Sequence, residues 1–223
     1  MLKNIMIIGA GGVGRETALI INDINNVKKE WNVLGFIDDN QYILNDSING
    51  YKVLGNLEFL RSYKEEVYVI CAISDYKIKK MIISELKNNI NIKFPTLIHP
   101  STKLDDTVNV GEGCIIYQNV ITTTNIEIGN HVIISPKCGI GHDTKIKDYC
   151  SILWNVNLSG NVKIEEGNLV GSASTIIQGI TVGKESVVGA GTVVIRDVPS
   201  KVTVVGNPAR VINKKKNLML LEA

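Results

Sequence analysis

The second half of the chain carries a hydrophobic pattern with a period of six. Ile98, Leu104, Val110, Ile116, Thr122, Ile128, Ile134, Ile140, Ile146, Ile152, Leu158, Ile164, Val170, Ile176, Val182, Val188 and Val194 follow one another at that spacing, and all but Thr122 are Ile, Leu or Val. Neither an amphipathic helix nor an ordinary alternating strand sustains this period, whereas stacked hexapeptide coils do. A second register lies four residues after the first. Thr102, Val108, Cys114, Val120, Ile126, Val132, Cys138, Thr144, Cys150, Val156 and Val162 are small or β-branched, which suits inward positions beside tight corners. Three hexads make one turn of a triangular coil, so the repeat predicts nearly six coils stacked at roughly 4.8 Å, a prism about 27 Å tall. Recurrent steps such as "VGEG", "IGNH", "IGHD" and "VGKE" place glycine where the chain must turn sharply or lie against another backbone.

The first hundred residues have a different rhythm. Ile5 to Ile8 read as a buried strand, followed by a glycine turn and a helix with Val13, Thr17, Ile20, Ile21 and Ile24 on one face. Gly9, Gly11 and Gly14 match G-x-G-x-x-G between strand and helix, where backbone N–H groups can approach a diphosphate. A second strand, "NVLGFIDDN", carries Asp38 and Asp39 to its carboxyl end, where dinucleotide folds place a ribose-binding acid. "EVYVICAISD" gives a third strand and "DYKIKKMIISELKNN" a further helix. With about three parallel strands predicted, the unit is one mononucleotide half of a Rossmann sheet. A nucleotide-sugar fits it better than NAD. The organisation is therefore a Rossmann-like domain over 1–95, a coil over 96–206 and a tail over 207–223.

Composition narrows the function classes. A formal charge of +2 and a pI near 8.2 are too mild for a nucleic-acid protein. No 18-residue apolar run or signal-peptide pattern occurs, so no membrane span is expected and the chain reads as cytoplasmic. Cys114, Cys138 and Cys150 are spaced by multiples of six in the inward register and read as packing residues, while Cys71 belongs to the third strand of the first domain. No metal site is expected, because the three histidines are too sparse and wrongly spaced for a zinc hydratase on a coil of this kind.

Taken in order, "IMIIGAGGVGRE", "GFIDDN", "CAISDYKIKK", "LIHP", "GHD", "VGAGTVV" and "VGNPAR" resemble the PglD- and NeuD-type bacterial sugar acyltransferases along nearly the whole chain. The resemblance implies an α/β domain followed by a left-handed parallel β-helix, a homotrimer, and acetyl-CoA as cosubstrate. The PglD type acetylates the C4 amine of a nucleotide-linked 4-amino-4,6-dideoxysugar. By resemblance, His142 is the catalytic base and Asp143 the acid that increases its basicity. Gly11, Gly12, Val13, Asp38, Asp39 and Ser74 fall on the nucleotide-sugar site, and Ser151, Gly160, Ser172 and Ala190 on the acetyl-CoA site. The chain departs from the family pattern at Val13 (often His), Ser74 (commonly Gly), Asp143 (often Glu) and Ser151 (His in PglD). The particular sugar is left open.

His142 lies two residues after the inward Ile140 and so points off the prism. Imidazole is the side chain whose unperturbed proton affinity lies nearest neutrality, which suits it to take the proton of an amine attacking a thioester. Asp143 would stabilise the resulting imidazolium, and the oxyanion needs a backbone N–H of a neighbouring coil, which the resemblance implies is that of Gly160. His131 reads as a surface residue and His99, at the entry to the coil, as a satisfied structural one. Lys214 to Lys216 read as a solvated end or as attraction for the CoA phosphates, and "NLMLLEA" as a short helix. Two other functions stay open: O-acetylation of the NeuD sialic-acid type, and a non-catalytic nucleotide-binding module on a β-helical trimer.

Overall fold

The protein is described from a computed structural model covering residues 2–212. The basic run Lys214 to Lys216 and the "NLMLLEA" segment lie outside the described residues. The N-terminal unit is a six-stranded sheet: β1 (Lys3–Ile8), β2 (Trp31–Ile37), β3 (Ser47–Ile48), β4 (Tyr51–Gly55), β5 (Val67–Cys71) and β6 (Ile92–Lys93). They run in the order β3-β4-β2-β1-β5-β6, parallel except for the β3–β4 hairpin. Three helices pack with them: α1 (Gly12–Val27), α2 (Leu57–Arg61) and α3 (Tyr76–Leu86). The sheet thus has five parallel strands, more than the three predicted. Of the extra ones, β6 is only two residues long, and β4, as long as β5, has Lys52 and Gly55 among its five residues and so lacks the continuous apolar run that marks β5.

After Leu97–Ile98, two-residue strands recur every six residues from Asn109 to Val193 and pair in register with partners eighteen residues away, such as Ile121 with Gly139 and Ser151 with Ile133. This is a left-handed parallel β-helix with three faces. The first carries the strands beginning at Ile121, Gly139, Asn157, Thr175 and Val193, and the second those at Asn109, Glu127, Lys145, Lys163 and Thr181. The third carries those at Leu97, Ile115, Ile133, Ser151, Leu169, Val187 and Thr203, and ends in the antiparallel strand Arg210–Ile212. The aliphatic register fills the prism: Ile116, Ile134, Ile152, Ile164, Val170 and Val188 have no accessible surface. Burial of each such side chain contributes roughly 1.5–3 kcal/mol.

The second inward register does more than pack. The Cys114, Cys138 and Cys150 thiols donate at 3.0–3.1 Å to the carbonyls of Gly129, Leu153 and Glu165, each fifteen residues ahead. Thr102 and Ser174 hydroxyls do the same to Tyr117 and Gly189. A small side chain carrying a donor therefore ties each coil to the next. Burial pushes the thiols up, to about 11 for Cys114 and Cys138 and about 12 for Cys150, so they remain protonated.

The corners are turned by a left-handed residue in each hexad, which is glycine at Gly113, Gly167, Gly179 and Gly191 and another residue elsewhere. Asn119, Asn125, His131, Lys137, Asp143, Tyr149, Asn155 and Asn161 have φ between 54° and 62°, a left-handed residue every six positions. Asparagine recurs among them, at four of these eight positions, because its short polar side chain tolerates this conformation. The glycine of an "IG" step serves close approach instead. A Cβ on Gly141 would lie 2.6 Å from the Gly160 nitrogen of the next coil.

The N-terminal unit covers the third face. Leu97, Ile115, Tyr117 and Ile133 join Ile20, Ile21 and Trp31 in one apolar cluster. The Tyr117 hydroxyl donates to the Val13 carbonyl at 3.2 Å and lies 3.3 Å from the Thr17 hydroxyl. On the other side of the seam the Tyr76 hydroxyl donates to Glu166, which also pairs with Lys80. His99 lies between Ser101 and Asp23, as expected of a structural histidine.

His131 is not a surface residue. Only 2% of it is accessible; its ring stacks on Tyr149 and meets Phe94 edge-on, and neither ring nitrogen has a hydrogen-bond partner. Its corner position would be exposed on a bare coil, but β6 and the following segment cover it. Burial, followed by the Lys79 and Lys87 charges, pushes its pKa down to about 4, and the imidazole is neutral.

Candidate active site

At the corner between the first and second faces, His142 and Asp143 project outward with about half of each side chain exposed. Asp143 takes the left-handed conformation, φ 59°, which turns its carboxylate back toward the preceding ring. Its Oδ2 lies 2.8 Å from His142 Nδ1, while Oδ1 accepts from Asn125 Nδ2 at 3.3 Å. The bond from His142, followed by that from Asn125, holds the Asp143 carboxyl below its usual range. Asn125 stands eighteen residues before Asp143, one coil back on the same corner. The coil spacing alone was sufficient to find it, although no sequence motif marks it.

With Nδ1 engaged by the carboxylate, His142 Nε2 is the free base. That edge of the ring lies over Gly160, and a Cβ there would come within 2.3 Å of Nε2. Gly160 thus makes room for the histidine, and its N–H has no protein acceptor among the described residues. A shallow groove of about 290 Å³ adjoins this corner, lined by Ile121, Thr123, Gly139, Gly141, Asn157 and Ser159.

The nucleotide-binding candidates gather at the carboxyl ends of β1, β2 and β5. Gly9 has φ +93°, and a Cβ on Gly14 would overlap the Gly9 carbonyl, so these two glycines are required by the backbone itself. Gly11 and Gly12 face open space, and α1 begins with no side-chain cap. Uncapped N–H groups at a helix start suit an anion. Asp38 Oδ2 accepts from the Ala10 N–H and Oδ1 from that of Asn40, while Asp39 accepts from Leu57 and anchors the start of α2. Both carboxylates therefore shape the loops first, with lone pairs left for a ligand. Beside them lies a cleft of about 260 Å³, largely apolar, lined by Ile37, Leu57, Ile73, Ile78 and Met81.

Two expected acetyl-CoA contacts, Ser172 and Ala190, lie partly and fully exposed, one coil apart, on the corner between the third and first faces. Ser151 is different. It is 1% accessible, donates to the Ser74 carbonyl at 2.9 Å and accepts from Lys79 Nζ at 3.3 Å. The α3 segment covers it, which removes Ser151 from the cosubstrate site and places it with Ser74 in the interdomain seam. Lys79 is fully buried there, and burial lowers its pKa to about 8.

Comparison with known proteins agrees with this geometry. The profile of the PglD N-terminal domain matches residues 4–86. The chain is 32% identical to the GDP-perosamine N-acetyltransferase of Escherichia coli O157:H7 over 213 residues, 92% of this chain and 94% of that one. The acetyltransferase domain of PglB from Neisseria gonorrhoeae FA1090, solved in complex with acetyl coenzyme A, superposes with a TM-score of 0.85 at 26% identity, covering 95% of this chain and all of that one. WeeI from Acinetobacter baumannii AYE gives 0.81 at 29% identity, covering 94% of this chain and all of that one. A carboxylate-held histidine on a β-helix corner, an uncapped glycine loop in the domain before it and full-length similarity lead to one conclusion: the chain belongs to the PglD-type family of sugar acyltransferases.

Proposed function

We propose that the protein transfers the acetyl group of acetyl-CoA to the C4 amine of a nucleotide-linked 4-amino-4,6-dideoxysugar, of the kind named in its GDP-perosamine relative. The observation that carries this reading is the His142–Asp143 pair with Nε2 free above Gly160. The amine attacks the thioester carbonyl and Nε2 takes the proton released as the C–N bond forms. Asp143 holds Nδ1–H and stabilises the imidazolium. The Gly160 N–H donates to the oxyanion, and collapse of the intermediate expels the CoA thiolate, which takes the proton from Nε2. The α1 N-terminus receives the diphosphate, and the cleft beside Asp38 and Asp39 the nucleoside.

A homotrimer in the cytoplasm completes the reading. The N-terminal unit covers the third face, whereas His142 stands on the opposite edge of the prism, so a sugar held by one subunit reaches the histidine of the next. The first face supports this arrangement, because its outward residues Ile121, Thr123, Asn157, Ser159, Thr175 and Ile177 carry no charge. No helix among the described residues is long and apolar enough to cross a membrane. The test is release of free thiol from acetyl-CoA with a panel of nucleotide-linked amino and hydroxy sugars, with mass spectrometry of the products. Turnover on the 4-amino sugars supports the proposal. O-acetylated products only, or thiol release from none of the panel, overturns it.

A further inference from the structure

Trp154 is an unusual residue to find on a coil corner, with 43% of its surface exposed where indole is seldom left in water. It belongs to the corner between the third and first faces, one coil before Ser172 and two before Ala190, and follows His142 by twelve residues within a single turn of the prism. The two side chains therefore lie at nearly the same height, within about 3 Å along the axis at roughly 4.8 Å per coil, on opposite edges of the first face. Tyr117, whose hydroxyl holds the Val13 carbonyl, ties the glycine loop to the third face. Leu153, the neighbour of Trp154, stands thirty-six residues and two coils beyond Tyr117, about 9.6 Å further along. That is the scale of the reach from a diphosphate to the far side of its attached pyranose.

We infer that Trp154 of one subunit forms the wall against which the acceptor sugar lies while His142 of the neighbouring subunit takes its proton. This rests on the proposed acetyl transfer and trimer. When uncharged first faces gather around a three-fold axis parallel to the prisms, each His142 edge meets the Trp154 edge of the next copy at the same level. An indole face suits a pyranose with a C–H surface and an exocyclic methyl in place of a hydroxymethyl group. Stacking of this kind is worth roughly threefold to tenfold in affinity. Trp154 is then a positioning residue: it orients the amine and takes no part in proton transfer.

The experiment uses the full chain with GDP-linked 4-amino-4,6-dideoxymannose and acetyl-CoA. Trp154→Ala should raise KM for the nucleotide-sugar roughly threefold to tenfold, with KM for acetyl-CoA unchanged, and Trp154→Phe should restore most of the loss. An unchanged sugar KM in a folded Trp154→Ala trimer overturns the inference while the parent's turnover leaves the function standing; a rise only in the acetyl-CoA KM also overturns it. A binding readout covers the case in which the parent does not turn over the sugar. In a Trp31→Phe background, where Trp154 is the one indole, nucleotide-sugar should quench or shift its emission, whereas the nucleoside diphosphate alone should not. Equal responses to both, or a response to neither, overturn the inference. The contribution across subunits is read by co-expressing His142→Ala and Trp154→Ala chains. Turnover per His142-bearing subunit at low sugar should rise severalfold above that of Trp154→Ala alone. A value fixed at the Trp154→Ala level places both residues in one subunit's site and overturns the arrangement.

Discussion

The first and third faces of the prism are built on the same inward repeat, yet one is buried under another domain and the other is bare in the single chain. Behind both lie columns of Ile and Val at six-residue spacing. What differs is the residue just before each inward aliphatic. On the third face it is Leu97, Ile115 and Ile133, which merge with the core of the N-terminal unit. On the first it is Ile121, Gly139, Asn157, Thr175 and Val193, flat and uncharged. The second face carries Glu127, Lys145 and Lys163 in the same position, including a Lys145–Glu127 pair along the sheet. The inward register thus sets the fold, while the outward one decides whether a face is covered by a domain, stays flat and uncharged, or carries charge into water.

The largest expected effect lies at the edge of the first face. His142→Ala should lower turnover about a hundredfold or more, the usual contribution of a positioned base, with circular dichroism and assembly unchanged. Near-native turnover in the folded variant would remove His142 from the mechanism. Next comes a charge on the first face: Ile177→Lys should convert the proposed trimer to monomer in light scattering and lower activity at least tenfold by separating subunits. Thr181→Lys on the already charged second face should do neither. Equal behaviour of the two variants would erase the distinction between the faces.

The covered face is tested by acid. Because the His131 pKa falls from an ordinary 6.5 to about 4 in the folded protein, the unfolded chain takes up its proton first as pH drops. The resulting stability is complete above pH 6.5 and lost progressively down to pH 4, about 3 kcal/mol over that window. His131→Phe should flatten this part of the pH dependence of Tm by a corresponding amount; an unaltered slope would show that the ring does not stay neutral in the seam. The smallest effect sharpens the corner itself. Gly160→Ala should displace the His142 ring and lower kcat about tenfold while the coil stays folded, and an unchanged kcat would show that the ring is free to move aside.

The coil was legible because its period is fixed by geometry: eighteen residues per turn places Ile134 against Ile152 whatever surrounds them. The outward position of His142 followed from the same arithmetic. Its partner Asp143 was marked only by the family resemblance, since adjacency in sequence does not reveal a left-handed φ. The failures share a cause. His131 reads from the sequence as a surface residue and Ser151, by resemblance, as an acetyl-CoA contact; both are outward positions on the coil that are buried because a distant segment folds over them: β6 and its sequel for His131, α3 for Ser151. No local pattern contains that information. The glycine steps serve both turning, at Gly113, Gly167, Gly179 and Gly191, and close approach, as at Gly141; what the repeat did not mark is that asparagine and other residues share the turning.

The final strand, Arg210–Ile212, answers a problem the rest of the prism creates. Each coil presents an open row of N–H and C=O groups to the next, so a parallel stack has no internal reason to end, and a bare last coil is a template for a foreign strand or for another molecule. Here the chain reverses after Val205 and lays Arg210, Val211 and Ile212 antiparallel on the last coil. The strand that ends the third face among the described residues runs in the opposite direction and carries the exposed Arg210. On the third face, then, a further parallel coil would meet a strand of reversed direction in place of a matching edge.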